Sequence, residues 1–201
     1  MRVTKLLLVV FCLMAAVAGC GKGPEQVQQP LGTPAQPQPQ LAGLSFQQVS
    51  FQDPVAKNHT SAWKKNSKKV SVTREGDGLR CEVEAGSGTE SNYGGVAFPV
   101  SGGIKALRLE MTLISPENIN GVWVDGKKGK TRMLRWVWPV GRSARGSGRA
   151  TYVLVPGGKS RPFGMDVNKG GQGVEKVDIF IRLRGPNQKA GFILHRVEVA
   201  N

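Results

Sequence analysis

An all-β domain, a sandwich or barrel, is what residues 44–201 predict, on two observations. Short runs alternate apolar and polar residues between clusters of Gly, Asn and Pro, and no stretch of that region carries a helical period. The region is also long enough to bury a substantial core as one domain.

Leu44 to Phe51 and Lys69 to Thr73 open the series of expected strands. In Leu79-Arg80-Cys81-Glu82-Val83-Glu84-Ala85 every second residue is apolar, as a half-buried strand requires. Gly95 to Val100 follows, and Leu107-Arg108-Leu109-Glu110-Met111-Thr112-Leu113 repeats the alternation. The remaining runs are Ile119 to Asp125, Met133 to Trp138, Thr151 to Val155, Val177 to Leu183 and Phe192 to Val199. Around ten strands suit a sandwich or barrel, and Pro156 to Gly173, rich in Gly, Lys and Pro, is expected to be a long surface loop.

Two segments precede the domain. Arg2 and Lys5, the apolar run Leu6 to Val17 and then Val17-Ala18-Gly19-Cys20 resemble the signal of a bacterial lipoprotein, ending in a lipobox cysteine. The resemblance implies removal of residues 1–19 and a mature protein that starts at Cys20, thioether-linked to diacylglycerol and N-acylated. Such acyl chains, at about 0.8 kcal/mol per buried methylene, hold a protein to a bilayer without a transmembrane helix. The location implied is the bacterial cell envelope, and Gly21 in place of an aspartate favours the outer membrane in a Gram-negative host. Residues 20–43 then form the lipidated N-terminus and a Gln/Pro-rich linker, including Ala35-Gln36-Pro37-Gln38-Pro39-Gln40. That composition buries too little apolar surface to offset its ordering entropy, so a disordered, extended tether is expected.

The order Trp63, Asp77-Gly78-Leu79, Tyr93-Gly94-Gly95-Val96-Ala97-Phe98, then Ala106 to Leu113 and the closing run Phe192 to Val199 resembles carbohydrate-binding modules with the galactose-binding-like jelly roll. The resemblance implies a jelly-roll β-sandwich and glycan binding. Many such modules hold a structural calcium through acidic residues of the first and last strands; His195-Arg196 at the corresponding end argues against one here.

Sugar-binding surfaces need aromatic faces beside polar groups that fix hydroxyls. Taking Ile119 to Asp125 and Thr131 to Trp138 as a hairpin around residues 126–130 sets Asp125 opposite Thr131, Trp123 opposite Met133 and Gly121 opposite Arg135. Val122, Val124, Leu134, Trp136 and Trp138 then share the core face. Trp123, Asp125, Met133 and Arg135 share the other, which makes Trp123, Asp125 and Arg135 the candidate ligand-binding residues. A slip of one residue reverses that assignment. Trp63 and Tyr93 lie near loops and are as well placed to plug the ends of the sandwich.

The chain carries a formal charge of +14, and no Asp or Glu lies between Gly126 and Met165. Lys127, Lys128, Lys130, Arg142, Arg145 and Arg149 from that segment are the candidate polyanion-binding residues, and Gly141 to Arg149 reads as a mobile cationic loop. Lipid head groups, lipopolysaccharide phosphates, acidic polysaccharides and peptidoglycan carboxylates are the polyanions of an envelope. Nucleic acid, the usual partner of so basic a chain, is a minor expectation for an exported protein. A basic surface that serves solubility alone is the plain alternative.

Catalysis finds little in the sequence. His59 and His195 are the only histidines, the acids are spaced as outward strand residues, and Cys81 is the one cysteine left in the domain, on the core side of its strand. No Cys/His cluster has metal-ligand spacing, so neither metal nor other cofactor is expected. The sequence therefore reads as a non-catalytic, membrane-anchored glycan binder. The alternative is a structural or assembly lipoprotein docking a protein partner or lipid head groups through its basic loops.

Overall fold

The computed structural model describes residues 41–49, 51, 61–141 and 148–201, with 61–63 described for their backbone. The expected signal, Cys20, His59, Arg142 and Arg145 lie outside the described residues.

Twelve strands occur among the described residues: β1 (Phe46–Gln48), β2 (Ser61–Lys65), β3 (Ser67–Glu75), β4 (Gly78–Ala85), β5 (Tyr93–Pro99), β6 (Ala106–Ile114), β7 (Ile119–Lys128), β8 (Thr131–Pro139), β9 (Ala150–Leu154), β10 (Gly164–Asn168), β11 (Lys176–Leu183) and β12 (Lys189–Ala200). They form two six-stranded antiparallel sheets, a jelly-roll β-sandwich. The first has the order β3-β4-β12-β6-β9, with β1 added along the C-terminal part of β12, and the second β10-β8-β7-β11-β5-β2.

Alternation builds the core. In β4, Leu79, Cys81, Val83 and Ala85 are buried while Glu82 is exposed; in β6, Leu107, Leu109, Met111 and Leu113 are buried. They meet Val122 and Val124 of β7, Leu134 and Trp136 of β8, and Val177, Ile179 and Ile181 of β11 in one cluster. Cys81 is fully enclosed, and burial, helped by the nearby Glu82, pushes its thiol up to about 12, so it packs as a small hydrophobe. Trp138 also faces inward, where Tyr152 and Phe163 pack on it at 5.4 and 5.7 Å between ring centres.

Three expectations need correction. The stretch from Pro156 to Gly173 contains β10, which pairs with β8, where a single loop was expected. Trp63, expected near a loop, lies within β2 and pairs with Gly95 of β5; this edge strand, Ser-Ala-Trp-Lys-Lys, has no alternation to announce it. The β7–β8 hairpin is also tighter than expected: it turns at Gly129-Lys130, with Gly129 at φ +54°, and pairs Asp125 with Arg135 and Trp123 with Val137. The four-residue shift is even, so it leaves the faces unchanged. Beyond Gly126 the register jumps so that Lys127 pairs with Arg132, which makes Met133 a bulge that packs on the core and not beside Trp123.

Leu109→Ala, at a position with no solvent exposure, is expected to cost about 2–5 kcal/mol and lower the urea midpoint at unchanged m-value.

Candidate functional site

Pairing across the second sheet lays its outward residues in rows. Trp123 of β7 pairs with Phe180 of β11 and Val137 of β8, and Phe180 pairs with Gly95 of β5. The next row runs Tyr93, Arg182, Gly121, Pro139. On the other side lies a row of Ala97, Asp178, Asp125 and Arg135.

Three aromatic rings fill the centre. The Trp123 and Phe180 rings lie nearly parallel, 9° apart with centres 5.7 Å apart, and Tyr93 meets them edge-on at 5.9 and 6.2 Å. Gly121 makes room for the indole, since a Cβ there would come within 2.8 Å of Trp123 Cη2. Trp123 remains half-buried, whereas Phe180 is covered.

Beside the rings are two enclosed carboxylates. Asp125 has no solvent exposure and accepts a forked pair from Arg135, Nε to Oδ1 at 2.7 Å and Nη2 to Oδ2 at 2.8 Å, while Arg132 Nε donates to Oδ2 at 2.9 Å. Burial disfavours charge on Arg135, but the hydrogen bonds and field of Asp125 outweigh it and hold its pKa above the ordinary arginine value. Asp178, equally buried, pairs with Lys127; Lys176 Nζ stands 3.5 Å from Oδ1, an ion pair without a hydrogen bond. Arg182 lies over Tyr93 at 5.8 Å, and its buried Nε has no partner.

These groups line a cleft of about 280 Å³ together with Lys65, Lys127, Arg132 and Arg135; Lys65 stands beside Tyr93 on the edge strand β2, across the sheet from Arg132 and Arg135 on β8. Past Trp123 the surface opens into a shallower hollow of about 580 Å³ against Pro139, Pro162 and Met165.

Trp123, Asp125 and Arg135 thus lie together, though in different capacities. Trp123 meets solvent, Arg135 is 17 % exposed at its side chain, and Asp125 lies below and orients the guanidinium groups. Of the cationic candidates, Lys127 lines the cleft, and Lys128 and Lys130 are exposed at the hairpin. Arg149 lies away from them, its Nη2 donating to Glu110 at 2.9 Å on β6 in the first sheet. His195 is also in the first sheet, its Nε2 2.9 Å from Thr112 Oγ1; burial, then Arg149, lowers its pKa. Tyr93 starts β5 and packs within the aromatic group, so it does not plug an end of the sandwich. Phe180, Arg132 and Lys65 were missed by sequence reasoning. For Phe180 a signal existed: parity within Val177 to Leu183 sets it outward with Asp178 and Arg182. Among the described residues no group of three or more His, Cys, Asp or Glu is arranged to hold a metal ion.

No protein-family model matches the sequence, and no curated protein matches it significantly. Solved structures do resemble it. The family 11 carbohydrate-binding module of a cellulosomal cellulase of Clostridium thermocellum is 14 % identical, covering 80 % of this chain and 97 % of the module, at a TM-score of 0.47. A carbohydrate-binding module described for specific mannan recognition is 10 % identical over 79 % of this chain and 96 % of its own, also at 0.47. A lectin from Bauhinia forficata in complex with GalNAc is 8 % identical, covering 78 % of this chain and 97 % of the lectin, at 0.38.

Asp125→Asn leaves Arg132 and Arg135 without their shared counter-charge. A loss of about 2–4 kcal/mol is expected by chemical denaturation, the lower part of the range reflecting the water that reaches Arg132, which is 40 % exposed.

Proposed function

We propose that this chain is a lipid-anchored protein of the bacterial envelope whose β-sandwich binds an anionic glycan on the outer face of the second sheet, without turning it over. The observation that carries the reading is the cleft that Trp123 and Tyr93 share with Lys65, Lys127, Arg132 and Arg135. Aromatic rings suit the apolar faces of pyranose sugars, and the cations suit their acidic substituents. The two carboxylates at the cleft, Asp125 and Asp178, are buried and held in ion pairs, which suits them to positioning cations and not to general acid–base work on a glycosidic bond. The anchor is Cys20, supported by the lipobox-like sequence before it, and the linker up to residue 43 lets the domain reach beyond the lipid surface.

Two experiments test the reading. The full chain in detergent micelles is expected to be retained by immobilised acidic glycans, and Trp123→Ala to lose that retention while keeping the thermal transition. Retention that is unchanged in Trp123→Ala removes this face from consideration; capture of a stoichiometric protein partner with no glycan retained replaces the reading by a docking lipoprotein. Separately, labelled palmitate is expected to enter the wild-type protein in a bacterial host and not Cys20→Ser, and equal labelling of both would dismiss the anchor.

A further inference from the structure

We infer that the glycan carries carboxylates, as uronic acid residues, and that Arg132 is the side chain that receives a sugar carboxylate. The inference rests on the proposed glycan-binding role of the second sheet and names the ligand's chemistry within it.

The cations of the cleft are not equivalent. Arg135 is mostly covered, and its Nε and Nη2 are both taken by Asp125. Lys127 is paired with buried Asp178. Arg132 is held to Asp125 through Nε alone, at 2.9 Å, and its side chain is 40 % exposed. One edge of its guanidinium is therefore fastened to the protein while the Nη groups stay available at the cleft. A planar group fixed in this way matches the two oxygens of a carboxylate, which accept parallel N–H bonds. Lys65 lines the same cleft beside Tyr93, across the sheet from Arg132, and its exposed ammonium suits a second carboxylate further along the oligosaccharide.

The rest of the cleft suits the sugar ring that would carry this carboxylate. Trp123 and Tyr93 supply partly exposed apolar surface, Phe180 backs the indole from beneath, and Arg135 stands 5.9 Å from the centre of the Phe180 ring. A ring with an apolar face and one carboxylate fits this juxtaposition of Trp123 and Tyr93 with guanidinium groups. Asp125 does not repel such a ligand, because it is enclosed and its charge is offset by two arginines. Its part is that of a positioning residue, setting both guanidinium groups before a ligand arrives.

The test compares matched glycans by calorimetry on the full chain in detergent micelles: galacturonate and glucuronate oligosaccharides, their methyl esters, and a sulfated glycan that lacks carboxylates. At least one uronate oligosaccharide is expected to bind about tenfold or more tightly than its ester, and Arg132→Gln to erase that difference. Arg132→Lys is expected to restore it only in part, because the charge returns without the planar fork. Lys65→Gln, an exposed position that poses no folding risk, is expected to weaken uronate binding severalfold and leave ester binding alone. Esters bound as tightly as acids, with Trp123 still required, would overturn the inference and leave the glycan reading standing. A sulfated glycan preferred over every uronate would also overturn it. Silence from every glycan would end both.

Discussion

Asp125 and Asp178 occupy facing positions on β7 and β11, and both are buried on the outward face of the second sheet. Two like charges directly opposite across a strand pair destabilise a sheet, and two desolvated ones do so strongly. The arrangement holds because each carboxylate has its own cations, Arg132 and Arg135 for Asp125, Lys127 and Lys176 for Asp178. Those partners come from β7, β8 and β11 themselves, so the ion pairs tie together the three strands that also carry Trp123 and Phe180. The same pairing gives the sheet a specific register. A one-residue slip of β7 would drive Asp125 into the hydrocarbon between the sheets.

The two outer faces differ in how they use charge. On the first sheet, Arg80 bridges Glu75 and Glu82, Lys68 meets Glu84, and Arg108 and Arg196 share Glu198. Most of these are exposed pairs of matched charge, and each contributes little to stability. On the second sheet Asp125 and Asp178 lie buried beneath their cations, while Asp166 of β10 is exposed beside the hollow next to Trp123. The acid-free segment after Gly126 therefore does not act as one undivided basic patch. Arg132 and Arg135 reach back across the hairpin to Asp125, Lys127 pairs across to β11, and Arg149 is spent on Glu110 in the other sheet.

Much of the fold was legible because alternation reports burial directly. The β4, β6 and β12 runs could be read as strands, and Trp136 and Trp123 fell on opposite faces of the β7–β8 hairpin as parity required. The hairpin register was misjudged by four residues, since length alone does not reveal that the strands continue through Lys127-Lys128 to a two-residue turn. An odd error would have inverted the site. The Met133 bulge leaves no periodic trace, and β10 hides among Gly and Pro because an edge strand needs only one paired side. What could not be read from any single run was the assembly of Tyr93, Phe180 and Trp123, since β5, β7 and β11 are far apart in sequence and meet only in the sheet order.

That assembly also bears on how a ligand would be held. Trp123 is confined by the stacked Phe180 ring, the edge of Tyr93 and the bare backbone of Gly121, and Arg135 and Arg132 are confined by Asp125. Long side chains ordinarily lose rotamer freedom when they grip a ligand, at about 0.5–1.5 kcal/mol each. Here that ordering belongs to the folded state, so a ligand of the proposed kind would find the indole and the guanidinium groups already set. Long-range attraction by the basic surface fades with salt, whereas stacking does not. A rigid indole beside the cations would therefore hold the proposed ligand at ionic strengths where charge alone would release it.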